Sequence, residues 1–334
     1  MSAPVSAKAL AELRAALARR EGGEGALRIF HGPGEGTGAL ADVALDRFGR
    51  HVWITRWGSG GVERDARRDP ATEAALKAFI AENFESAAEL VRPEKGLPEE
   101  PVVYFGAPPV EPFAVREGRA RFWIKLQGAR HPGLFLDHLP VRQWLEKNSN
   151  GLRVLNTFAY TGSLSVASGL GAAAHVTTLD LSKPVVRWAR ENWTLNGLPD
   201  DRARFIDGDV FEWLPRLSKK KDELFDCVIL DPPSFSRGKK GTFSTSKDLF
   251  RLHRLALATL KPEGGLLITS INSANVSRRQ YESEVLRAIE DAGFGLAETI
   301  HEVSLPETFP TRAPEDAYLK GWILRLSPAN IRAG

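Results

Sequence analysis

Four short stretches in the second half of the chain gather residues able to do chemistry together. They are Asn156-Thr157-Phe158-Ala159-Tyr160-Thr161-Gly162, Asp180-Leu181, Asp207-Gly208-Asp209-Val210 and Asp231-Pro232-Pro233-Ser234-Phe235. Asp180 stands about two dozen residues beyond the start of the first stretch, a spacing at which an acidic side chain accepts both hydroxyl hydrogens of a ribose. Asp209 is placed to meet an adenine amino group. Two consecutive prolines fix φ behind Asp231 and hold its carboxylate and the neighbouring carbonyls in place. Phe235 then supplies a ring that can stack on a planar base, worth about 1–3 kcal/mol. Alone, this turn reads equally well as a tight bend with a core phenylalanine. In order behind Asp180 and Asp209 it reads as a clamp for a nucleobase.

The first stretch has one glycine, Gly162, and no G-x-G-x-x-G. Little backbone is therefore free to wrap a diphosphate, which such a motif achieves by opening a helix onto the phosphates. S-adenosylmethionine carries no phosphate. Its ribose, adenine and zwitterionic tail suit a turn lined by Asn156, Phe158, Tyr160 and Thr161 better than a glycine cradle. A degenerate nicotinamide or ATP site is the competing reading.

Elements that could position these stretches follow from the pattern of apolar residues. Strands are expected at 153–156, 175–179, 204–206, 226–230 and 265–270, alternating with helices at 163–170, 183–196, 210–217 and 247–260. Ser182 as N-cap, Pro184 in the first turn and Gly197 past the end mark the second of these helices. Strict alternation predicts an α/β fold with parallel strands and a ligand site at their carboxyl ends. The earlier part reads differently. Residues 7–20 form an amphipathic helix, 27–30 and 51–57 are strand-like, 70–92 are helical in period, and short strands are expected at 102–105 and 119–126. The run Gly32-Pro33-Gly34-Glu35-Gly36-Thr37-Gly38 resembles a phosphate cradle, but it leads into a β-hairpin rather than a helix and reads as a structural loop. The expected domains are a helical arm (1–22), a small α+β domain with a possible RNA-binding role (23–126), and the α/β domain (127–334).

With 334 residues, 43% hydrophobic and 26% charged, the chain has ordinary globular composition and room for about two domains. A single cysteine, Cys227, excludes an intramolecular disulfide framework and multi-cysteine metal sites. No apolar run reaches the roughly eighteen residues of a membrane span. Charges interrupt the N-terminal segment, so it does not read as a secretory signal, and a cytoplasmic location is expected. The net charge of +3 is small, so clustering matters more than the total. Arg237, Lys239 and Lys240 follow the clamp, where a substrate backbone would pass. Arg278 and Arg279 lie beyond Asn272 and Asn275, after another strand end on the same rim.

Asn156–Asn196 together with Asp231–Phe235 resembles the class I S-adenosylmethionine-dependent RNA methyltransferases. More narrowly the chain is similar to bacterial 23S rRNA methyltransferases, both the cytosine-C5 branch and the guanine-N7 half of the fused enzyme. The segment His131-Pro132-Gly133-Leu134-Phe135-Leu136-Asp137 with Arg142 is similar to the stretch that leads into that family's catalytic domain, and the 27–53 hairpin resembles the small domain before it. The resemblance implies a Rossmann-like seven-stranded sheet closed by an antiparallel pair at 298–303 and 318–326, with 308–312 in the loop between. It implies cofactor contacts from Phe158, Tyr160 and Gly162, ribose binding by Asp180, adenine binding by Asp209 and Val210, and a place for Asp231 beside the reacting methyl. RNA, either 23S rRNA or a large-subunit precursor, is the implied partner, met by Arg237, Lys239, Lys240, Asn272 and Arg278. The PUA domain of the C5 branch is not expected, since only the first helix precedes residue 27.

Carbon 5 of a pyrimidine needs a cysteine thiolate added at carbon 6 before it can be methylated. C5-type members place that cysteine just past the strand reading here Leu267-Ile268-Thr269-Ser270-Ile271-Asn272, and this chain has Asn272 there. Cys227, inside an apolar strand, reads as a core thiol. Guanine N7 needs no covalent nucleophile, so it ranks first, an exocyclic amine second and C5 last. A non-catalytic RNA-binding assembly factor and a small-molecule methyltransferase are the rivals from other classes.

Overall fold

The apolar stripe over residues 7–20 becomes helix α1 (Val5–Arg19) in the computed structural model, which describes residues 5–20, 25–56, 69–91, 100–233, 235–238, 241–273, 276–313 and 318–329. Leu13 and Ala16 on that stripe are fully buried, so α1 is part of a core rather than a free arm. The core belongs to the smaller of two compact units, Met1–His138 together with Leu305–Asp316. In it, β1 (Ala26–His31), the short α2 (Gly32–Glu35), β2 (Val43–Phe48), β3 (His51–Arg56), α3 (Pro70–Asn83), β4 (Ser86–Val91) and β5 (Glu100–Gly106) follow in order. The strands form one sheet, β1-β2-β3-β4-β5, with β3 and β4 parallel. Ile29, Val43, Ile54, Leu76, Phe79 and Ile80 pack with Leu13 against it.

One expectation is corrected here. Helical period continues to 92, yet α3 stops at Asn83 and Phe84 takes an extended conformation. The next six residues form β4, between β3 and β5, where Ser86, Ala87 and Ala88 are buried and leave little room for larger side chains. The strand expected at 119–126 is one arm of a separate hairpin, β6 (Phe113–Glu117) paired with β7 (Ala120–Ile124). Its first arm follows Pro108, Pro109 and Pro112, which break the local pattern.

The second unit comprises Leu139–Ser304 with Ala317–Gly334. It contains α4 (Leu139–Asn148), β8 (Arg153–Thr157), α5 (Ser163–Leu170), β9 (His175–Asp180), α6 (Lys183–Leu195), β10 (Ala203–Asp207), α7 (Val210–Leu217) and β11 (Cys227–Leu230). After a two-stranded ribbon, β12 (Phe235–Gly238) and β13 (Gly241–Ser244), come α8 (Thr245–Leu257), β14 (Gly265–Asn272), α9 (Arg278–Asp291), β15 (Phe294–Glu302) and β16 (Leu319–Pro328). Seven strands make one sheet in the order β10-β9-β8-β11-β14-β16-β15. The first five are parallel, and β16 runs antiparallel to both neighbours. Leu155, Leu179, Val228, Leu267 and Leu324 fill its centre, packed with residues of α7, α8 and α9. The order turns back at β8, whose neighbours are β9 and β11. That is where open α/β sheets leave a crevice at the carboxyl ends of their strands.

Residues 305–316 connect β15 to β16 but join the smaller unit. Phe309 is buried with the Arg28 guanidinium 4.1 Å above its ring and the His31 ring at 5.4 Å. Arg28 holds Asp46 in a buried two-pronged ion pair at 2.7 and 2.8 Å, and Arg312 donates to the Gly36 carbonyl at 2.9 Å. The alternating glycines find their reason here. A Cβ on Gly34 would lie 1.7 Å from the Pro310 carbonyl oxygen, and one on Gly32 2.1 Å from that of Leu40. The run is a backbone-to-backbone contact, not a phosphate cradle.

Candidate active site

The loop after β8 is held in an uncommon conformation. Phe158 and Tyr160 have φ of 51° and 49°, and Gly162 has 76°. Non-glycine residues in that region cost about 1–3 kcal/mol each and persist where surrounding contacts enforce them. Those contacts are present. The Tyr160 N–H donates to Asp180 Oδ2 at 2.9 Å, the Ala159 N–H to the Leu179 carbonyl, and the Gly208 N–H to the Asp180 carbonyl at 2.8 Å. At Gly162 a Cβ would fall 2.8 Å from that of Ala189, so α5 can start this close to α6 only with glycine there.

Asp180, at the carboxyl end of β9, accepts from Tyr160 with one oxygen and from the Ser182 N–H at 3.0 Å with the other. Burial raises its pKa above the ordinary carboxylate value, against the lowering by backbone donors at Ser182, Tyr160 and Leu181. Ser182 is the N-cap of α6, yet its side chain makes no capping bond. Leu181 is 42% exposed, an apolar surface beside a carboxylate. Asp209 caps α7 by accepting from the Phe211 N–H at 2.8 Å.

Asp231 leaves the end of β11 between its neighbours β8 and β14. Ser270, buried near the end of β14, donates to Asp231 Oδ1 at 2.6 Å. Next to Ser270, Thr269 joins a buried relay. The Tyr281 hydroxyl donates to Thr269 at 3.1 Å, and Thr269 donates to His253 Nε2 at 2.7 Å while His253 Nδ1 donates to the Leu249 carbonyl at 2.8 Å. Burial holds the His253 pKa down to about 4, so the ring is neutral and can accept. The relay ties α8 and α9 to the strand that carries Ser270. Sequence reading missed Ser270, and the signal available was its place at a strand end beside the one that carries the clamp.

The sequence-selected residues do not all face the rim. Phe158, Tyr160, Asp180, Leu181, Asp209 and Asp231 are accessible there, and Pro232 is buried behind Asp231 while Pro233 is exposed. Asn156 is buried, donating to Ser165 Oγ at 2.9 Å while its Oδ1 has no partner. It supports the loop from beneath. Thr161 is buried, its carbonyl accepting from Asn192 at 2.9 Å, and the Val210 side chain lies in the core. Phe235 and Arg237 are described in backbone only, in β12, and Lys239, Lys240 and Asn275 lie outside the described residues. Asn272 is exposed at the end of β14. Arg278 is exposed and pairs with Glu302 and Glu282. Cys227 is fully buried, and burial and Asp226 push its thiol pKa up, so it presents no thiolate.

A ribose and an adenine fit what is present: a fixed carboxylate, an apolar neighbour, a capped carboxylate on the next strand, and a strained turn in place of a glycine cradle. A family model described as S-adenosylmethionine-dependent methyltransferase matches residues 27–325. "Ribosomal RNA large subunit methyltransferase I" of Aeromonas hydrophila is 32% identical over 319 residues, covering 94% of this chain and 78% of that protein. "Ribosomal RNA large subunit methyltransferase K/L" of Chromohalobacter salexigens is 42% identical over 164 residues, which are 48% of this chain and 22% of that one. Among solved structures, SMU.776 complexed with SAH matches with a TM-score of 0.83 at 25% identity, covering 97% of this chain and 83% of the other.

Proposed function

The chain belongs to the S-adenosylmethionine-dependent methyltransferase family, and we propose that it methylates a base of large-subunit ribosomal RNA, at guanine N7. Bound S-adenosylmethionine supplies an electrophilic methyl group. The protein's own residues supply placement. Asp180 takes the ribose hydroxyls, with the 158–162 turn beside the amino-acid tail and Asp209 and the Val210 backbone beside the adenine. Asp231, oriented by Ser270, borders the nucleobase, and the two prolines keep it from swinging away.

Guanine N7 carries an in-plane lone pair and needs neither a thiolate nor prior loss of a proton. Alignment alone lowers most of its barrier. Methylation leaves the ring positively charged, and the Asp231 carboxylate stabilises that charge as it develops. The observation that carries this reading is the pairing of a held carboxylate at the β11 end with a β14 end that offers Asn272 where C5 chemistry needs cysteine. An exocyclic amine would use the same clamp and shed its proton after attack. The names of the two relatives support RNA as the substrate class, and the base must be flipped out or single-stranded to enter. Among the described residues no helix is long and apolar enough to cross a membrane, and we place the reaction in the cytoplasm, on 23S rRNA or its precursor.

Nucleoside mass spectrometry of 23S rRNA from a deletion strain and its parent tests the assignment. Loss of 7-methylguanosine is expected. Loss of 5-methylcytidine, or of no methylated nucleoside, overturns it.

A further inference from the structure

Helix α6 packs Val186, Trp188, Ala189, Asn192 and Trp193 inward. Its outer face carries Lys183, Arg187, Arg190 and Thr194, all exposed. At 3.6 residues per turn these four fall within an arc of about 60°, and at 1.5 Å per residue they climb roughly 16 Å of the axis. Glu191, also exposed, lies just outside that arc. Three cations therefore stand in one row, with a single carboxylate beside it on the helix.

These charges lack the partners that exposed arginines have on other helices. Arg14 meets Glu82 and Arg254 meets Asp291, while Arg278 meets Glu302 and Arg287 meets Glu284. Among the described residues no carboxylate pairs with Lys183, Arg187 or Arg190. Arg190 has a ring instead. Its guanidinium sits 4.7 Å over Phe205 of the edge strand β10, and Trp193 meets the same ring edge to face at 6.2 Å. An aromatic face steadies a guanidinium and leaves its charge in place.

Local stability does not account for the row. Cations are favourable at the C-terminal end of a helix and unfavourable at the N-terminal end. Yet α6 opens on Lys183, with no acidic residue in its first turn and no basic one in its last. The charge stands where the helix itself disfavours it, and a polyanion laid along the outer face offsets that cost. The row also begins three residues after Asp180, which ends β9, so its upper end lies at the rim where the ribose is placed.

We propose that the outer face of α6 binds the sugar–phosphate backbone of substrate RNA, with Lys183, Arg187 and Arg190 each taking a phosphate. The proposal rests on RNA being the substrate class. Contacts of this kind supply affinity and orientation but read no sequence, so the surface holds strand that flanks the base at the site.

The test uses the full chain, a fluorescein-labelled single-stranded RNA of about twelve nucleotides, and anisotropy over a salt series. Arg187→Glu/Arg190→Glu and Arg187→Gln/Arg190→Gln are compared with wild type, and SAH binding is measured calorimetrically on each preparation. Charge reversal is expected to weaken RNA binding at least about tenfold. Losing two phosphate contacts should flatten the slope of log K against log salt by about 1.4 in the glutamine pair, with SAH affinity unchanged. Glu191→Gln removes the carboxylate beside the row and should tighten binding about twofold, a gain that misfolding does not mimic. Unaltered affinity and slope in the glutamine pair would remove the surface. If that pair loses SAH binding, an unaltered affinity in Glu191→Gln removes it instead. RNA displaced as readily by polyglutamate as by unlabelled RNA of equal charge would assign the row to an acidic protein and also overturn the proposal. Wild-type protein that binds SAH but no RNA at low salt would instead refute the RNA reading itself.

Discussion

Replacing Asp180 by asparagine tests the centre of the cofactor site, because the carboxylate has two jobs there. In the protein alone, its two oxygens accept the N–H groups of Tyr160 and Ser182 at 2.9 and 3.0 Å. Asparagine has one acceptor, so an amide NH₂ must face one of these donors. A donor left unsatisfied costs about 1–3 kcal/mol, and here it sits in a loop already holding two non-glycine residues at positive φ. In the complex, the ribose hydroxyls also lose a charged acceptor. The unsatisfied donor lowers the stability of free and bound protein alike, while the lost charged acceptor should take about 1.5–3 kcal/mol of binding, a Kd for SAH roughly 10- to 150-fold weaker. Calorimetry with SAH reads this directly, and an affinity within threefold of wild type would refute the argument.

The same residue fixes the direction of a pH effect. Burial raises the Asp180 pKa in the free protein, whereas ribose hydroxyls donate to, and so favour, the ionised form. Binding therefore releases a proton in the range where free Asp180 is partly protonated. Affinity should fall as pH is lowered through that raised value and level off above it, and D180N should lack this dependence. Equal slopes in the two proteins would mean that another group titrates.

Other perturbations separate positioning from chemistry. Ser270→Ala removes the donor to Asp231; at about 1.5 kcal/mol for a charged hydrogen bond kcat should drop about tenfold with SAH affinity unchanged, and Ser270→Thr should restore most of it. Cys227→Ala should lose about 1 kcal/mol of stability in urea and keep its turnover, whereas abolished turnover in folded protein would revive a covalent mechanism. Gly34→Ala should cost about 1–3 kcal/mol because its Cβ meets the Pro310 carbonyl, while Gly295→Ala, where a Cβ has only Ala329 at 4.0 Å, should be near neutral. Equal urea midpoints for these two variants would sink the packing account of the glycine run.

The sheet and its rim were legible because strand, loop and helix alternate with clear caps, and because acidic residues end three successive strands. Parallel strands buried on both faces read as short apolar runs, so β8, β9 and β11 could be located within a residue or two. What escaped was set by distant partners. Ser86-Ala87-Ala88 has no strand propensity to announce it and becomes β4 because small residues fit between β3 and β5. Asn156 lies in the right stretch, but the two-residue alternation of β8 turns it inward to Ser165. The link between Asp231 and Ser270 spans 39 positions and two strands, and no local spacing encodes it.

The glycine run shows why an isolated motif misleads. Glycine marks places where backbone must come close to something, and sequence does not say to what. In a phosphate cradle that partner is an anion at a helix N-terminus. Here it is the Pro310 carbonyl, in a segment that returns from between β15 and β16, and the nearby backbone at Leu40. Phe309 is seated on the Arg28–Asp46 pair by the same contact. A bulkier residue at 34 would push against the docked segment, while the buried ion pair below gains much of its shielding from water through that ring. The charged pair, the glycines and the segment from the far end of the chain therefore depend on one another. That interdependence explains why the smaller unit cannot be delimited as one continuous stretch of sequence.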